Sequence, residues 1–513
     1  MFDRFHAWLA RHPLLRDVLL WSVPAILFGA ALRCILIYTS PYAFWGADSR
    51  SFMGFANGVL TDNYWSINEK RRYLYPVFLL PISLLPGGTL RWLAWIQAGL
   101  GLASILPLAY MVRRVFRSWK VWIVPVTVLY AGMPVFMWFE HELIAESVFY
   151  QCTIWTLGGW VAWVTQSDPV RARRLWWWFL VPLAILVLTK PSGKMLWPGI
   201  VIGIVLVAAW RVWKWPQWSA LTAVFLAGAT VGSDNQGSWL LYTTAFPLTR
   251  LDTPLHAEFK EEIRDWVLLK RERITLYDEE DDEVHDFLRS PEMRPEFTRW
   301  NSLPKKERDK LYKELAMEGI RARPDLFFLI ALQRLAGSCN QADFKTVRFR
   351  PYYYADYLRK MYYESGAEES MMRIVFGIPK SAPYPSYEEM RGWVSPRPDS
   401  FWTKFYLDYA NAFQSYGDLL HRPHGQQTKL LEMRVTPLGW LTLFGGILSL
   451  FAPFRRPLGV WTITFGGYLI TVYFVGVEHH RYFALAWPFI LILIALVPEA
   501  FWRGWLRWRS ASR

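Results

Sequence analysis

Long apolar runs fix the class of this chain before any other feature does. Crossing roughly 30 Å of hydrocarbon takes about 20 helical residues. Segments of that order lie near 17–39, 92–112, 120–139, 144–166, 174–190, 195–213 and 218–236, and after a long gap near 436–453, 457–477 and 481–502. Ten spans are expected, within a range of 10–13, in an all-α polytopic membrane protein. The helix is required because a backbone in lipid must satisfy its own hydrogen bonds. With 53% hydrophobic and 17% aromatic residues the chain is too apolar to be wholly soluble, and with 19% charged residues it is too polar to be all span. The 31 Trp and 25 Tyr suit headgroup-level anchors, and Trp also stacks on sugar faces.

The segment 73–86 (YLYPVFLLPISLLP) has 14 residues and three prolines, too short to span, so it is expected to lie in the interface or re-enter. With that choice every strongly basic short stretch lands on the cytoplasmic side: the N-terminus, 113–120, 170–174, 211–214, 454–457 and the tail RGWLRWRSASR. The outer side then receives loop 40–72, the turns 139–146, 190–195 and 477–481, and the large segment 237–435. Three parts follow: an N-terminal transmembrane module 1–236, whose first outer loop 40–91 carries interfacial helices; an extracytoplasmic, mainly helical segment 237–435; and C-terminal transmembrane helices with a basic cytoplasmic tail, 436–513. Within the middle part, Lys305 to Ala322 carries an apolar stripe at Leu311, Leu315, Met317 and Ile320 that predicts a helix.

The net charge of +14 is explained by loops that obey the positive-inside bias, so nucleic acid is not expected as a partner. Cys34, Cys152 and Cys339 are odd in number and scattered, and indicate neither a disulfide framework nor a zinc site. Arg4, Arg11 and Arg16 precede the first apolar run, but no small-residue cleavage site follows before Arg33, which predicts an uncleaved first span. No Walker motif, dinucleotide fingerprint, GxSxG or HExxH is present. Energy for a synthesis would have to arrive with the substrate.

Charged residues gather at the outer edge. Asp48 follows the first span by about ten residues, and with Ser49 it either caps a short helix over 50–60 or reacts. The turn MWFEHELIAESVFYQ places Glu140, Glu142 and Glu146 at the tops of adjacent spans, with Glu142 and Glu146 four apart on one helix face. Acids there are either functional or favoured by a helix N-terminus. In LTKPSGKM, Lys190 and Lys194 stand at an outer boundary, where they snorkel or meet a lipid phosphate. The last turn adds Glu478, His479, His480, Arg481 and Tyr482; adjacent histidines point apart on a helix and make a weak metal signal. The run DEEDDE at 278–283 reads as a solvated face.

In order along the chain, GADSRSFMGFANGVL, RRYLYPVFLLPISLL, IAESVFYQCTIWTLGGW, LTKPSG, MEGIRARPDLFFLIALQRL and HHRYFALAWPFILILIAL resemble the motif series of the GT-C glycosyltransferases. The likeness is to the branch with the protein O-mannosyltransferases and lipid A aminoarabinose transferases. Two departures stand out: Asp48 is followed by Ser49 rather than a second acid, and the segment between the seventh and eighth spans has no recognisable domain signature. The resemblance implies a GT-C-like helical bundle and an inverting transfer from a polyprenyl-phosphate sugar to a lipid, glycan or protein acceptor. It places this in a bacterial inner membrane, with both termini cytoplasmic and the site facing the periplasm.

In that scheme Asp48 is the general base, Glu146 with Glu142 as runner-up orients the acceptor or helps the base, and Lys190, Arg481 and, in reserve, Lys194 hold the donor phosphate. Tyr73, Tyr75, His141, Glu478, His480 and Tyr482 are the expected acceptor or sugar contacts. No cofactor or metal is required, although a divalent cation is compatible. The competing readings are a polymerase or ligase with a diphosphate-linked donor, a lipid or sugar transporter, and a binding protein without catalysis.

Overall fold

The computed structural model describes residues 12–46, 48–61, 74–116, 122–189, 245–272, 303–331, 369–394, 400–420, 437–451, 454–475 and 486–511, with isolated positions at 196, 200–201, 219–220, 222–224 and 241. These residues are overwhelmingly helical, and the isolated β-bridge among them joins Phe44 to Glu142 in parallel. Helix α1 (Pro13–Thr39) starts on a proline, whose fixed φ and missing N–H suit a first turn. Next come α2 (Ser49–Thr61), α3 (Leu74–Ser83), α4 (Thr89–Ala103), α5 (Ile105–Val115), α6 (Ile123–Gly132), α7 (Pro134–Glu140), α8 (Glu146–Val164) and α9 (Pro169–Thr189). The later helices are α10 (Ala257–Glu262), α11 (Arg264–Glu272), α12 (Lys305–Ala322), α13 (Glu369–Phe376), α14 (Tyr387–Val394), α15 (Phe401–Leu420), α16 (Pro437–Ser449), α17 (Val460–Val475) and α18 (Trp487–Ala511).

Four of these stretches are long and apolar enough to cross a membrane: Pro13–Thr39, Thr89–Val115 (α4 and α5 together), Pro169–Thr189 and Trp487–Ser510. The pair α6 and α7, bent by 52°, makes a fifth if taken as one span. The chain is therefore a multi-pass membrane protein. Of the ten expected spans, those near 195–213 and 218–236 fall almost wholly outside the described residues. The helices at 436–453 and 457–477 are only 13 and 16 residues long. The segment expected not to span contains α3, an apolar helix of ten residues, about 15 Å at 1.5 Å per residue.

The α6–α7 bend follows from Pro134. A proline offers no N–H to the preceding turn and drives the residue before it out of helical geometry; Met133 accordingly has φ −64° and ψ 118°. Two carbonyls at the break find side-chain donors instead. Arg33 Nη1 reaches Ala131 O at 2.9 Å, and the Tyr409 hydroxyl of α15 donates to Gly132 O at 2.5 Å. Tyr409 also meets Phe28 of α1 edge-on at 6.2 Å, and Tyr406 is buried in a cluster with Leu32, Leu36, Phe44 and Met137. Helix α15 thus lies along α1 and covers the bend.

Helix α8 forms the centre of the bundle. Its glycines admit neighbours: a Cβ on Gly159 would stand 2.4 Å from Trp178 O of α9, and one on Gly158 would stand 2.8 Å from Pro107 Cβ of α5, the small-residue contact that lets membrane helices approach closely. Asp168 starts α9 by accepting the Val170 amide at 2.9 Å. On the loop side, α13 packs on α2 and α4 through a glycine joint. Gly88 (φ +88°) and Gly377 (φ +69°) press backbone to backbone, and a Cβ on Gly377 would sit 2.3 Å from Gly88 N. A second, smaller core joins α10, α11 and α12 around Phe259, Ile263, Leu311 and Leu315.

Candidate functional site

The first outer loop and the second acidic turn are zipped together by backbone. Phe44 N donates to His141 O at 2.6 Å and Leu143 N to Phe44 O at 2.9 Å. One step further, Gly46 N donates to Ser49 Oγ at 2.8 Å, and that hydroxyl donates to Leu143 O at 2.8 Å. Asp48 therefore sits between two residues that touch the acidic turn. Its carbonyl accepts Ser51 N at 3.1 Å and Ser51 Oγ at 2.6 Å, and its side chain is half-buried at the start of α2.

Three glutamates in seven residues meet three different environments. Glu140, at the end of α7 and 1% exposed, takes a two-pronged ion pair from Arg33 of α1, Nε to Oε2 at 2.5 Å and Nη2 to Oε1 at 2.8 Å. The Tyr150 hydroxyl of α8 adds a bond to Oε1 at 2.6 Å. A buried carboxylate so paired is neutralised by its partner. Glu142 accepts the Trp138 indole N–H at 2.9 Å on Oε2. Its Oε1 lies so close over Gly46 that a Cβ there would be 2.1 Å away. Glu146 occupies the first turn of α8, where the helix dipole favours an acid, and is 4% exposed.

Gln97 of α4 ties this region from below, its Nε2 donating to Glu140 O and to Glu142 O, both at 2.9 Å. Tyr75 of α3 donates to Gln97 Oε1 at 3.2 Å and packs edge-on against Phe52 of α2 at 5.0 Å. Burial first, and then the nearby Glu146 and Glu142 carboxylates, hold the Tyr75 phenol well above its ordinary pKa, so it stays a hydrogen-bond donor. His141 is 2% exposed and edge-on to Phe44 at 4.6 Å. Burial pushes its imidazole down to about 4 against the opposing pull of the Ser40 and Tyr42 backbone, so it is neutral at pH 7 and carries no charge toward a phosphate.

The fold brings Asp48, Glu142, Glu146, Tyr75 and His141 into one patch where the first loop meets the second turn. Tyr73, Lys190, Lys194, Glu478, His480, Arg481 and Tyr482 lie outside the described residues. No group of three or more His, Cys, Asp or Glu suited to a metal occurs among the described residues. The sequence reading overlooked Arg33, Gly46, Gln97 and Trp138. Arg33 did carry a signal, being a lone cation inside the first apolar run. Gly46 matters through Glu142 and Gln97 through Tyr75, Glu140 and Glu142, 22, 43 and 45 residues away from it, and no local pattern marks either.

No family model matches the chain, and neither does any curated protein. Among solved structures it is similar to the archaeal oligosaccharyltransferase AglB from Archaeoglobus fulgidus in complex with an inhibitory peptide and a dolichol-phosphate. That match has 14% identity and a TM-score of 0.42, and covers 98% of this chain and 52% of that one. It is also similar to ArnT from Cupriavidus metallidurans bound to undecaprenyl phosphate, with 13% identity, a TM-score of 0.34, and coverage of 90% of this chain and 78% of that one. These neighbours are GT-C glycosyltransferases, and the chain spans about half the length of the archaeal one.

Proposed function

We propose that this protein is an inverting membrane glycosyltransferase that moves a sugar from a polyprenyl-phosphate donor to a lipid, glycan or protein acceptor at the periplasmic face of a bacterial inner membrane. The observation that carries the reading is the backbone-zipped junction of loop and turn. The junction joins the loop that carries Asp48 to the acidic turn, whose Glu142 and Glu146 act on the Tyr75 phenol. Oxygen acceptors need a base, and polyprenyl-phosphate sugars already carry a good leaving group, so one carboxylate with cations for the departing phosphate is a sufficient set.

Asp48 takes the proton of the acceptor hydroxyl as its oxygen attacks the anomeric carbon. The bond from that carbon to the phosphate oxygen breaks, and its electron pair leaves with the polyprenyl phosphate. Lys190 and Arg481, with Lys194 in reserve, receive the phosphate charge. Glu146 orients the acceptor, and Glu142 holds the loop that carries Asp48 through its contact with Gly46. One base suffices for inversion, whereas retention by double displacement needs two carboxylates about 5 Å apart.

The test is release of radiolabel from a panel of polyprenyl-phosphate sugars by the purified protein in detergent, wild type beside Asp48→Asn. Turnover is expected from the wild type and to fall by about 10² or more in the variant while it stays folded. A folded wild type that releases sugar from no monophosphate donor, with an acceptor extract present, sinks this reading in favour of a diphosphate-donor enzyme or a transporter.

A further inference from the structure

We propose that Arg33, which carries no reactive group of this site, is a positioning residue that sets the height and direction of the acidic turn through Glu140. Every polar atom around it serves that end. Its guanidinium is 2% exposed and spends its donors on the Glu140 carboxylate, on Ala131 O at 2.9 Å and on Gly29 O at 3.1 Å. It therefore bridges both sides of the Pro134 break, gripping the last turn of α6 and the last residue of α7 at once. A bend of 52° has no hydrogen-bond ladder across it to fix its angle, so the angle is set by what spans it.

The space for the strut is also built in. A Cβ on Gly101 of α4 would lie 2.0 Å from Glu140 Oε1 and one on Gly29 would lie 3.0 Å from Arg33 Nη1. Tyr150 ties the same carboxylate to α8, whose first residue is Glu146. Glu140 is two residues before Glu142, so the geometry of this pair passes directly to the turn that meets the Asp48 loop.

The decisive variant removes both charges at once, Arg33→Met with Glu140→Met, because apolar replacement of a whole buried ion pair is often neutral or stabilising, whereas removing one partner is not. The double variant is expected to melt at or above the wild-type temperature. Its amides at Phe44 and Leu143, which close the loop–turn zipper, should exchange about tenfold faster or more while those of α8 keep their protection. Its kcat should fall by about tenfold or more with the donor KM within about twofold, as misplacement near 1 Å does to a reacting geometry.

Unchanged exchange at both amides and unchanged kcat in a folded double variant overturn the proposal. Should the double variant not fold, Tyr150→Phe takes one bond from Glu140 and leaves the pair; faster zipper exchange supports the strut, and wild-type exchange and kcat overturn it. The turnover arm rests on the glycosyltransferase reading and the exchange arm does not. A wild type that transfers no sugar therefore defeats that reading alone, while exchange still decides the strut.

Discussion

Gly46→Ala is the smallest change that should disable the site. The glycine is not required by backbone conformation, because its φ lies outside the left-handed region; it is required by space. An alanine Cβ would stand 2.1 Å from Glu142 Oε1 and 3.3 Å from its Cδ, where ordinary contact begins at 3.4 Å. Carboxylate and loop must therefore part by about 1.3 Å, the difference between 2.1 and 3.4 Å. If the carboxylate swings away, it gives up the Trp138 indole bond, a loss of about 1.5–3 kcal/mol for a hydrogen bond to a charged group. If the loop yields instead, the Phe44–His141 and Leu143–Phe44 bonds stretch and Asp48 moves with them. Displacement of about 1 Å costs on the order of 10²-fold in turnover. The assay is initial-rate sugar transfer at saturating donor, with a thermal melt of the same preparation. Gly54→Ala is the matched control, since it lies on α2 with nothing within 4 Å of its Cβ, and it should leave turnover unchanged and raise stability by up to about 1 kcal/mol. A Gly46→Ala protein with wild-type melting and kcat within about twofold of wild type would refute the reasoning.

Further consequences follow from other contacts. Gly377→Ala puts a side chain at φ +69° and 2.3 Å from Gly88 N, so the α13–α14 segment should detach at a cost of at least about 1–3 kcal/mol; limited proteolysis reads it, and an unchanged digestion pattern argues against the joint. Lys260, 2% exposed, donates to Glu318 at 2.6 Å and also to Thr253. Lys260→Met should destabilise the α10–α12 core by about 3 kcal/mol, seen as faster amide exchange in α12, and Lys260→Met with Glu318→Leu should recover much of it. At the start of α14, Glu389 accepts Ser386 N at 2.7 Å and Ser386 Oγ at 2.9 Å, which holds its carboxyl below the usual value of 4.5. A depressed folded pKa gives stabilisation that is complete above the unfolded value and lost as pH falls through the folded one. Protection factors in α14 should therefore drop on acidification below about pH 4.5, and Ser386→Ala should flatten the profile; an equal profile in both proteins contradicts the capping box.

What could be seen in the sequence was whatever depends on neighbours along the chain. The run over 17–39 lies within Pro13–Thr39, the short proline-bearing stretch contains a ten-residue helix, and the stripe from Lys305 to Ala322 forms a helix over those residues. Asp48, Glu142 and Glu146 could be picked out because acids at a membrane edge are expensive. Contacts that decide geometry were invisible for a physical reason: they are long-range. The grip of Arg33 on Glu140 spans 107 residues and that of Tyr409 on Gly132 spans 277. Helix α15 has too many polar groups to read as membrane-facing, yet its Tyr406 and Tyr409 face the bundle, so its burial is a matter of which side it shows and not of its average.

The three glutamates of the acidic turn show how one fold gives a single residue type separate tasks. Burial makes an unpaired carboxylate costly, and Glu140, 1% exposed, accordingly has a full guanidinium and a phenol. Glu142 accepts the Trp138 indole N–H and lies against Gly46, contacts that fix its position. Glu146 stands at a helix N-terminus, where the favourable field comes from the backbone. This division of tasks predicts opposite responses to loss of charge: Glu140→Gln should lower the melting temperature by weakening the Arg33 pair, while Glu142→Gln should melt as the wild type does and lose turnover. Thermal melts beside initial rates separate the two, and a Glu142→Gln protein that melts early at full kcat would reverse the assignment.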